Sequence, residues 1–369
     1  TVFSVASGAT ITTGDEAAFS TLLTNETNGN IAITDQNLTV STGTISVANA
    51  ILLAATTTGT VTASIATTES VDSLKTLYDT GETNAYTITI TSNAADTQLS
   101  TAAEFNAINN ATSVAVNATS VTALASSDIS DIKTLLTAGN DTDQFTATSF
   151  SSLATVAVAD STLDVSDLND SIAQANTATG ATSTSFTISS VDTINAGTAA
   201  EFTTLLDYES GSQISITDQN LTVDSGTMSV ANAVALSATT SGTVTGEITS
   251  GTTISAMLDS SSGLEDTGTV AAQALTITVA SGDAEATAAN LTSLYGKTTV
   301  AVDASAVTQI TGSVDAANIV YAAGASEITG LGNETVVITD SSLSDVTTLN
   351  TLDGNTTGTV NAALSLIHI

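Results

Sequence analysis

"ITDQNLTVSTGTISVANAILLAATTTGTVT", residues 33–62, returns as "ITDQNLTVDSGTMSVANAVALSATTSGTVT" at residues 216–245, with 23 of 30 positions identical. The offset is 183 residues, and it also carries Phe19, Leu22 and Leu23 onto Phe202, Leu205 and Leu206. Weaker versions of one pattern lie between the two copies. Six units divide the offset into about 30 residues each, a period found in coiled repeat architectures.

Inside one unit the hydrophobic period changes. "AYTITIT" (85–91), "TVAVADSTLDV" (155–165), "ALTITVA" (274–280), "TVAVDASAV" (299–307) and "TVVITDSSL" (335–343) alternate apolar and polar residues and are followed by turn formers, which predicts short strands. Helical spacing comes next. Val71, Leu74, Leu77 and Tyr78 fall on one face of "ESVDSLKTLYDTG", and Ile129, Ile132, Leu135 and Leu136 on one face of "SSDISDIKTLLTAG". "STAAEFNAI" and "GTAAEFTTLL" open with Ser or Thr and acidic residues, as helix N-termini do, with Phe19, Phe105 and Phe202 as core anchors. Gly or Asn follows most of these stretches.

Strand, turn, short helix and Gly-rich turn make one βα coil, which buries its apolar face only against neighbouring coils. The expectation is a repeat α/β solenoid over residues 1–363, one continuous body of about 12 coils and a broken thirteenth. At about 4.8 Å per stacked strand this is a rod roughly 55–65 Å long. The alternative is an all-β right-handed β-helix, favoured by the Thr and Ser content and opposed by the i, i+3, i+4 spacing and the Ala-rich "AAEF" segments. Absence of Pro suits both, since Pro removes a ladder donor.

Composition agrees with a thin, repeated core. Hydrophobic residues make up 41% of the 369, much of it Ala, with only seven Phe, five Tyr and no Trp. One large globular core would use more bulky side chains, and disorder is incompatible with the periodicity and the positive mean hydropathy. Three Lys, no Arg and 37 acidic residues give a net charge of -34. Such a chain has no basic patch with which to release counterions from phosphates, so nucleic acid is excluded as a partner, and anionic lipid is repelled. The same charge attracts divalent cations. There is no Cys for disulfides or thiolate metal sites, and no apolar run of membrane-spanning length.

The recurring polar feature is an acidic residue just after a predicted strand: Asp35, Asp160, Asp218, Asp303 and Asp340. Stacked in register, these carboxylates form a column of hard oxygen ligands suited to calcium, with Ser, Thr and backbone carbonyls completing the shell. The competing reading is that each Asp closes its own turn by an Asx hydrogen bond. Neither an EF-hand loop nor a glycine-rich calcium nonapeptide is present. A second feature is outward Thr on strands, at Thr60/Thr62, Thr87/Thr89/Thr91, Thr243/Thr245 and Thr276/Thr278. A continuous Thr array would order water as ice does, but most other coils carry Ala, Ser, Asn or Asp there; otherwise Thr is simply a good β-former on a solvated face. Catalysis has little to draw on, with no Cys, no Arg and one His. Lys75, Lys133 and Lys297 are scattered over distant coils, so the chain reads as a non-enzyme.

That one histidine, His368, sits in the terminal "LSLIHI" (364–369), whose composition breaks from the repeat. Reverse translation as CTG TCT CTT ATA CAC ATC matches a transposon-end adapter used in DNA sequencing libraries. The expectation is that 364–369 is translated adapter and His368 no site. Together with the absence of an initiator Met or signal-like segment, it reads the chain as an internal piece of something longer.

Residues 310–360 and the string "SVANAILLAATTTGTV" (46–61) resemble repeats of giant acidic surface proteins of marine bacteria, those of picocyanobacteria in particular. The likeness is of repeat texture and covers the chain up to the terminal tail. It implies a secreted or cell-surface protein with adhesive, envelope or motility-related roles, and no residue-level site. The function expected is a structural or adhesive rod or spacer, outside the cell, meeting cell-surface polymers or other copies of itself. The alternative is a ligand-binding solenoid that uses its Thr face for ice or its acidic edge for calcium-bridged glycans.

Overall fold

A computed structural model describes residues 2–80, 84–91, 100–180, 183–264, 273–342 and 346–363. From the N-terminus the order is β1 (Phe3–Ser4), β2 (Thr10–Thr13), α1 (Glu16–Thr27), β3 (Ile31–Ala32), β4 (Asn37–Val40), α2 (Val47–Thr56), β5 (Val61–Ser64), α3 (Val71–Leu74) and β6 (Ala85–Thr87). Next are α4 (Ala102–Asn110), β7 (Ala123–Ser127), α5 (Ile129–Gly139), β8 (Thr155–Val158), β9 (Thr162–Asp164), α6 (Val165–Thr179), β10 (Ser185–Thr187), β11 (Thr193–Thr198) and α7 (Ala199–Ser210). Then come β12 (Asn220–Met228), α8 (Val230–Thr239), β13 (Val244–Ile248), α9 (Ile254–Met257), β14 (Ala274–Thr276), β15 (Glu285–Thr287) and α10 (Ala288–Tyr295). The last are β16 (Val302–Asp303), β17 (Gln309–Gly312), α11 (Val314–Ala323), β18 (Ile328–Thr329), β19 (Thr335–Ile338), α12 (Val346–Asn355) and β20 (Val360–Ala362). The class is mixed α/β, and the 12 helices among the described residues overturn the all-β alternative.

The chain divides into two compact units, residues 1–161 with 167–191 and 208–215, and residues 162–166 with 192–207 and 216–369. The first holds sheets of order β1-β3, β2-β4-β5-β6 and β10-β8-β7; the second holds β14-β13-β12-β11-β9, β15-β17-β19-β20 and β16-β18. Every strand pairing among the described residues is parallel. Parallel neighbours require a crossover between them, and α2 and α8 supply it for β4-β5 and β12-β13.

The 183-residue offset survives as structure. Glu16, Val47 and Val71 open α1–α3, and Ala199, Val230 and Ile254 open α7–α9, each 183 residues further on. Register repeats with them: Thr10 faces Asn37 and Leu38 faces Val61 in the first unit, as Thr193 faces Asn220 and Leu221 faces Val244 in the second.

Alternation places Leu38, Val40, Val61, Ala63 and Ile65 inside, against Val47, Ala50 and Leu53 of α2, all buried. Each large aliphatic side chain so buried contributes about 2 kcal/mol. Thr39 and Thr62 share the other face. Phe19, Phe105 and Phe202 are buried as expected. Tyr78 is a correction: it is 51% exposed, while Val71, Leu74 and Leu77 are buried. After Leu74 the chain tightens into a 3₁₀ helix over Lys75–Thr80. At three residues per turn, 71, 74 and 77 stay in line and 78 rotates out.

What lets one strand lie on the next is a corner with the sequence Thr-x-Gly-Thr-Val. The buried Thr57 hydroxyl donates to the Gln36 carbonyl at 2.6 Å and accepts from Gly59 N at 2.9 Å. Thr240 repeats both bonds with Gln219 and Gly242, and Thr356 with Glu334 and Gly358. The glycine is required by a close approach: a Cβ on Gly59 would stand 2.5 Å from the Gln36 carbonyl oxygen.

Candidate functional site

The five aspartates singled out by sequence occupy three different environments. Asp35 lies just before β4 and accepts from the Ser7 hydroxyl, from Gly8 N and, at 2.9 Å, from Gln36 Nε2. The Ser7 bond is the main cause that holds its carboxyl below the usual range. Its repeat counterpart Asp218 accepts from Thr217 Oγ1 at 3.1 Å and Gln219 Nε2 at 3.0 Å. In both copies the buried glutamine is locked, since its Oε1 takes the N–H of Thr34 or Thr217 at 2.8 Å. Asp303, at the end of β16, closes an Asx turn on Ser305 N at 2.9 Å.

Asp160 and Asp340 reach back to the preceding helix. Asp160 Oδ2 accepts from Ile129 N, the first helical N–H of α5, at 2.7 Å. Asp340 Oδ2 accepts from Val314 N, the first of α11, at 2.8 Å. A helix leaves its first four N–H groups unsatisfied and carries partial positive charge at that end, so an outside carboxylate is stabilising there. In α5 the residue before the helix, Asp128, makes no cap bond through its side chain, and Asp160 fills the role.

Sequence reasoning missed the rest of this set. Glu69 Oε1 accepts from Val47 N at 3.0 Å, Asp283 Oδ2 from Ile254 N at 2.7 Å, and Ser127 Oγ from Ala102 N at 2.9 Å, so α2, α9 and α4 are capped in the same way. From the other direction, Glu16 Oε1 accepts from Ser46 N at 3.0 Å and from Asn49 Nδ2 at 2.5 Å. The Ser46 bond is the largest cause lowering the Glu16 carboxyl. The available signal was an acidic or hydroxyl residue one unit after a Ser- or Thr-led helix start.

Two of the three lysines also tie successive helical segments. Lys75 Nζ lies 2.6 Å from both Asp72 and Glu104, and Lys133 Nζ lies 2.7 Å from Asp167 and 2.8 Å from Asp170. Asp72 foremost raises the first ammonium, and Asp167 the second. Among the described residues, no three His, Cys, Asp or Glu side chains come together as a group able to hold a metal ion. The terminal segment 364–369, with His368, lies outside the described residues. No helix among the described residues is long and apolar enough to cross a membrane.

The outward threonines do fall into register, over a limited span. Thr12 faces Thr39 and Thr39 faces Thr62, after which the column meets Ala85. In the second unit Thr222 faces Thr245, which again meets an alanine, Ala274. Comparison with models of known protein families finds no match, and comparison with curated proteins finds none either.

Proposed function

We propose that this chain is a structural or adhesive repeat segment of a very large secreted or cell-surface protein, a solenoid of stacked βα coils that acts as a rigid spacer. The reading rests chiefly on one observation: the first N–H of α2, α4, α5, α9 and α11 is satisfied by a side chain 22–31 residues later in the chain. A coil completed by its successor is one that extends by repetition, and extension is the property a spacer needs. The charge of -34 supports service in salt-rich surroundings, where screening tolerates it, with neutral surface polymers or further copies of the protein as partners. No reaction is assigned to the chain.

The test is length. Duplicating the 183-residue repeat should raise the maximum dimension measured by small-angle X-ray scattering by about 30 Å, six coils at about 4.8 Å each. A dimension growing only as a compact body grows would sink the reading.

A second reading, favoured by the Thr12–Thr39–Thr62 column, is a ligand-binding solenoid, with ice on the threonine face or calcium-bridged glycans on the acidic edge. Melting in EDTA and in millimolar calcium separates these. An upward shift in calcium means that the folded state binds it, and no shift leaves the aspartates as caps and turn closers.

A further inference from the structure

A groove of about 540 Å³ runs between α4 and α5, within the size range of small-ligand clefts. Seven of its ten lining residues carry an amide or hydroxyl, among them Asn106, Asn109, Thr137 and Gln144, with the Lys133–Asp167 ion pair at one side. We infer that this groove is a binding site for a neutral saccharide.

The amides are held in defined orientations before any ligand arrives. Asp141 is an ionised acceptor, kept below the usual carboxylate range by the Asp143 N–H first and then by Gln144. A carboxylate only accepts, so Gln144 must turn its Nε2 toward it, and that bond is 3.1 Å. Gln144 Oε1 then faces the other way and takes Asn109 Nδ2 at 2.9 Å. The chain of bonds leaves Asn109 Oδ1 as an acceptor at the groove. Asn106 is pinned likewise, its Nδ2 donating to the Asp131 carbonyl at 3.1 Å, which leaves its Oδ1 as a second acceptor. On the other side, Asp167 and Asp170 take two of the three N–H donors of Lys133 and leave the third.

Fixed acceptors, one oriented donor and the two-way hydroxyl of Thr137 complement a ligand that donates and accepts at several points along its length. Sugar hydroxyls do both. The net charge of -34 disfavours anionic sugars, and the two carboxylates already satisfying Lys133 remove its pull on them. Among the described residues no aromatic side chain lines the groove, so discrimination falls on hydroxyl geometry rather than stacking. The inference does not rest on the spacer reading, because the groove is formed by α4, α5, Gln144 and the start of α6 whatever the length of the whole.

The test is saturation-transfer NMR on the full chain with neutral methyl hexosides and neutral oligosaccharides, with uronic-acid oligosaccharides for comparison. Transfer to neutral sugars is expected, weakened about tenfold by Asn109→Ala, the ratio that loss of one or two hydrogen bonds gives. Thr137→Arg, a substitution on the exposed side of α5 that keeps good helix propensity, should block the groove and abolish transfer with an unchanged melting curve. Absence of transfer to any neutral sugar, preference for the acidic ones, or full binding by Thr137→Arg would each overturn the assignment.

Discussion

Gly59→Ala isolates the contact on which stacking depends. The φ angle of Gly59 lies outside the left-handed region, so alanine meets no backbone strain, and the effect is one of space alone. The new Cβ would stand 2.5 Å from Gln36 O, 2.7 Å from Gln36 C and 2.9 Å from Asp35 O, all backbone atoms that no rotamer change can move. Restoring an ordinary contact of 3.4 Å needs a shift of about 0.9 Å. That shift breaks the 2.6 Å bond from Thr57 to Gln36 O and strains Leu38 N to Thr60 O at 2.9 Å. Overpacking costs about 1–3 kcal/mol and the lost hydrogen bond about 1 kcal/mol. The stiffer unfolded chain returns about 0.4–1 kcal/mol. The net destabilisation is about 2 kcal/mol, read as a lowered urea midpoint in circular dichroism. Hydrogen exchange should rise first at the amides of Leu38 and Val61. Gly354 is the internal control: it lies in α12 with no atom within 4 Å of an added Cβ, so Gly354→Ala should stabilise by about 0.5 kcal/mol or more through helix propensity. A Gly59→Ala protein within about 0.5 kcal/mol of the parent, or one shifted in the same direction as Gly354→Ala, would refute the close-approach argument.

Asp160→Ala and Asp340→Ala should each cost about 1 kcal/mol, with faster hydrogen exchange in the first turns of α5 and α11, which open 31 and 26 residues before the substitutions; exchange confined to the turn that holds the aspartate would contradict the capping role. Thr57→Val keeps shape but leaves Gln36 O and Gly59 N without their partner, for a loss of about 2 kcal/mol in urea, and an unchanged midpoint would show that the corner does not depend on the hydroxyl. Acid should destabilise the fold in a defined window. The Asp259 carboxyl, which accepts from the hydroxyls and N–H groups of Ser261 and Ser262, is lowered from 3.8 to about 2. A depressed carboxylate contributes stability above its unfolded value and loses it as pH falls through the folded one. The urea midpoint should therefore drop between pH 4 and pH 2, less so in Asp259→Asn, and a ¹³C titration of Asp259 should centre near the lower end. Gly246→Ala places a Cβ against Met228 Cε and should destabilise, with Met228→Ile recovering most of the loss, and equal costs in both backgrounds would dismiss the coupling.

Strand and helix segments were legible because their signals are local. The i, i+3, i+4 run from Ile129 to Leu136 needs no partner to be recognised, and all four residues are buried. Tyr78 misled because the same rule assumes 3.6 residues per turn and the chain there has tightened to three. The acidic positions were found and the Asx reading holds at Asp303, but the capping task of Asp160 and Asp340 was not foreseen. Asx turns join neighbours in sequence, as in Asp303 with Ser305, whereas Asp160 and Ile129 are 31 residues apart and Asp340 and Val314 are 26 apart. Nothing in the spacing of one sequence says which helix end a carboxylate will meet until the stacking register is known.

The two copies related by 183 residues show which part of a coil is constrained. Gln36, Leu38, Thr57 and Gly59 are kept as Gln219, Leu221, Thr240 and Gly242, and these are residues at which one parallel strand and its corner meet the next. Outward positions drift, as when exposed Leu52 becomes Ala235. Within residues 33–62 the one exchange at a buried position is Ile45 to Met228, and just beyond them the buried Ala63 becomes Gly246. Methionine reaches further than isoleucine with the same number of non-hydrogen side-chain atoms, and its terminal methyl occupies the place that a Cβ on Gly246 would take. The pair therefore preserves packing where either change alone would overfill or empty the site. Selection of this kind acts on the fit between neighbouring strands and not on any single side chain, which is why the repeat is recognisable through its corners even where its surface has changed.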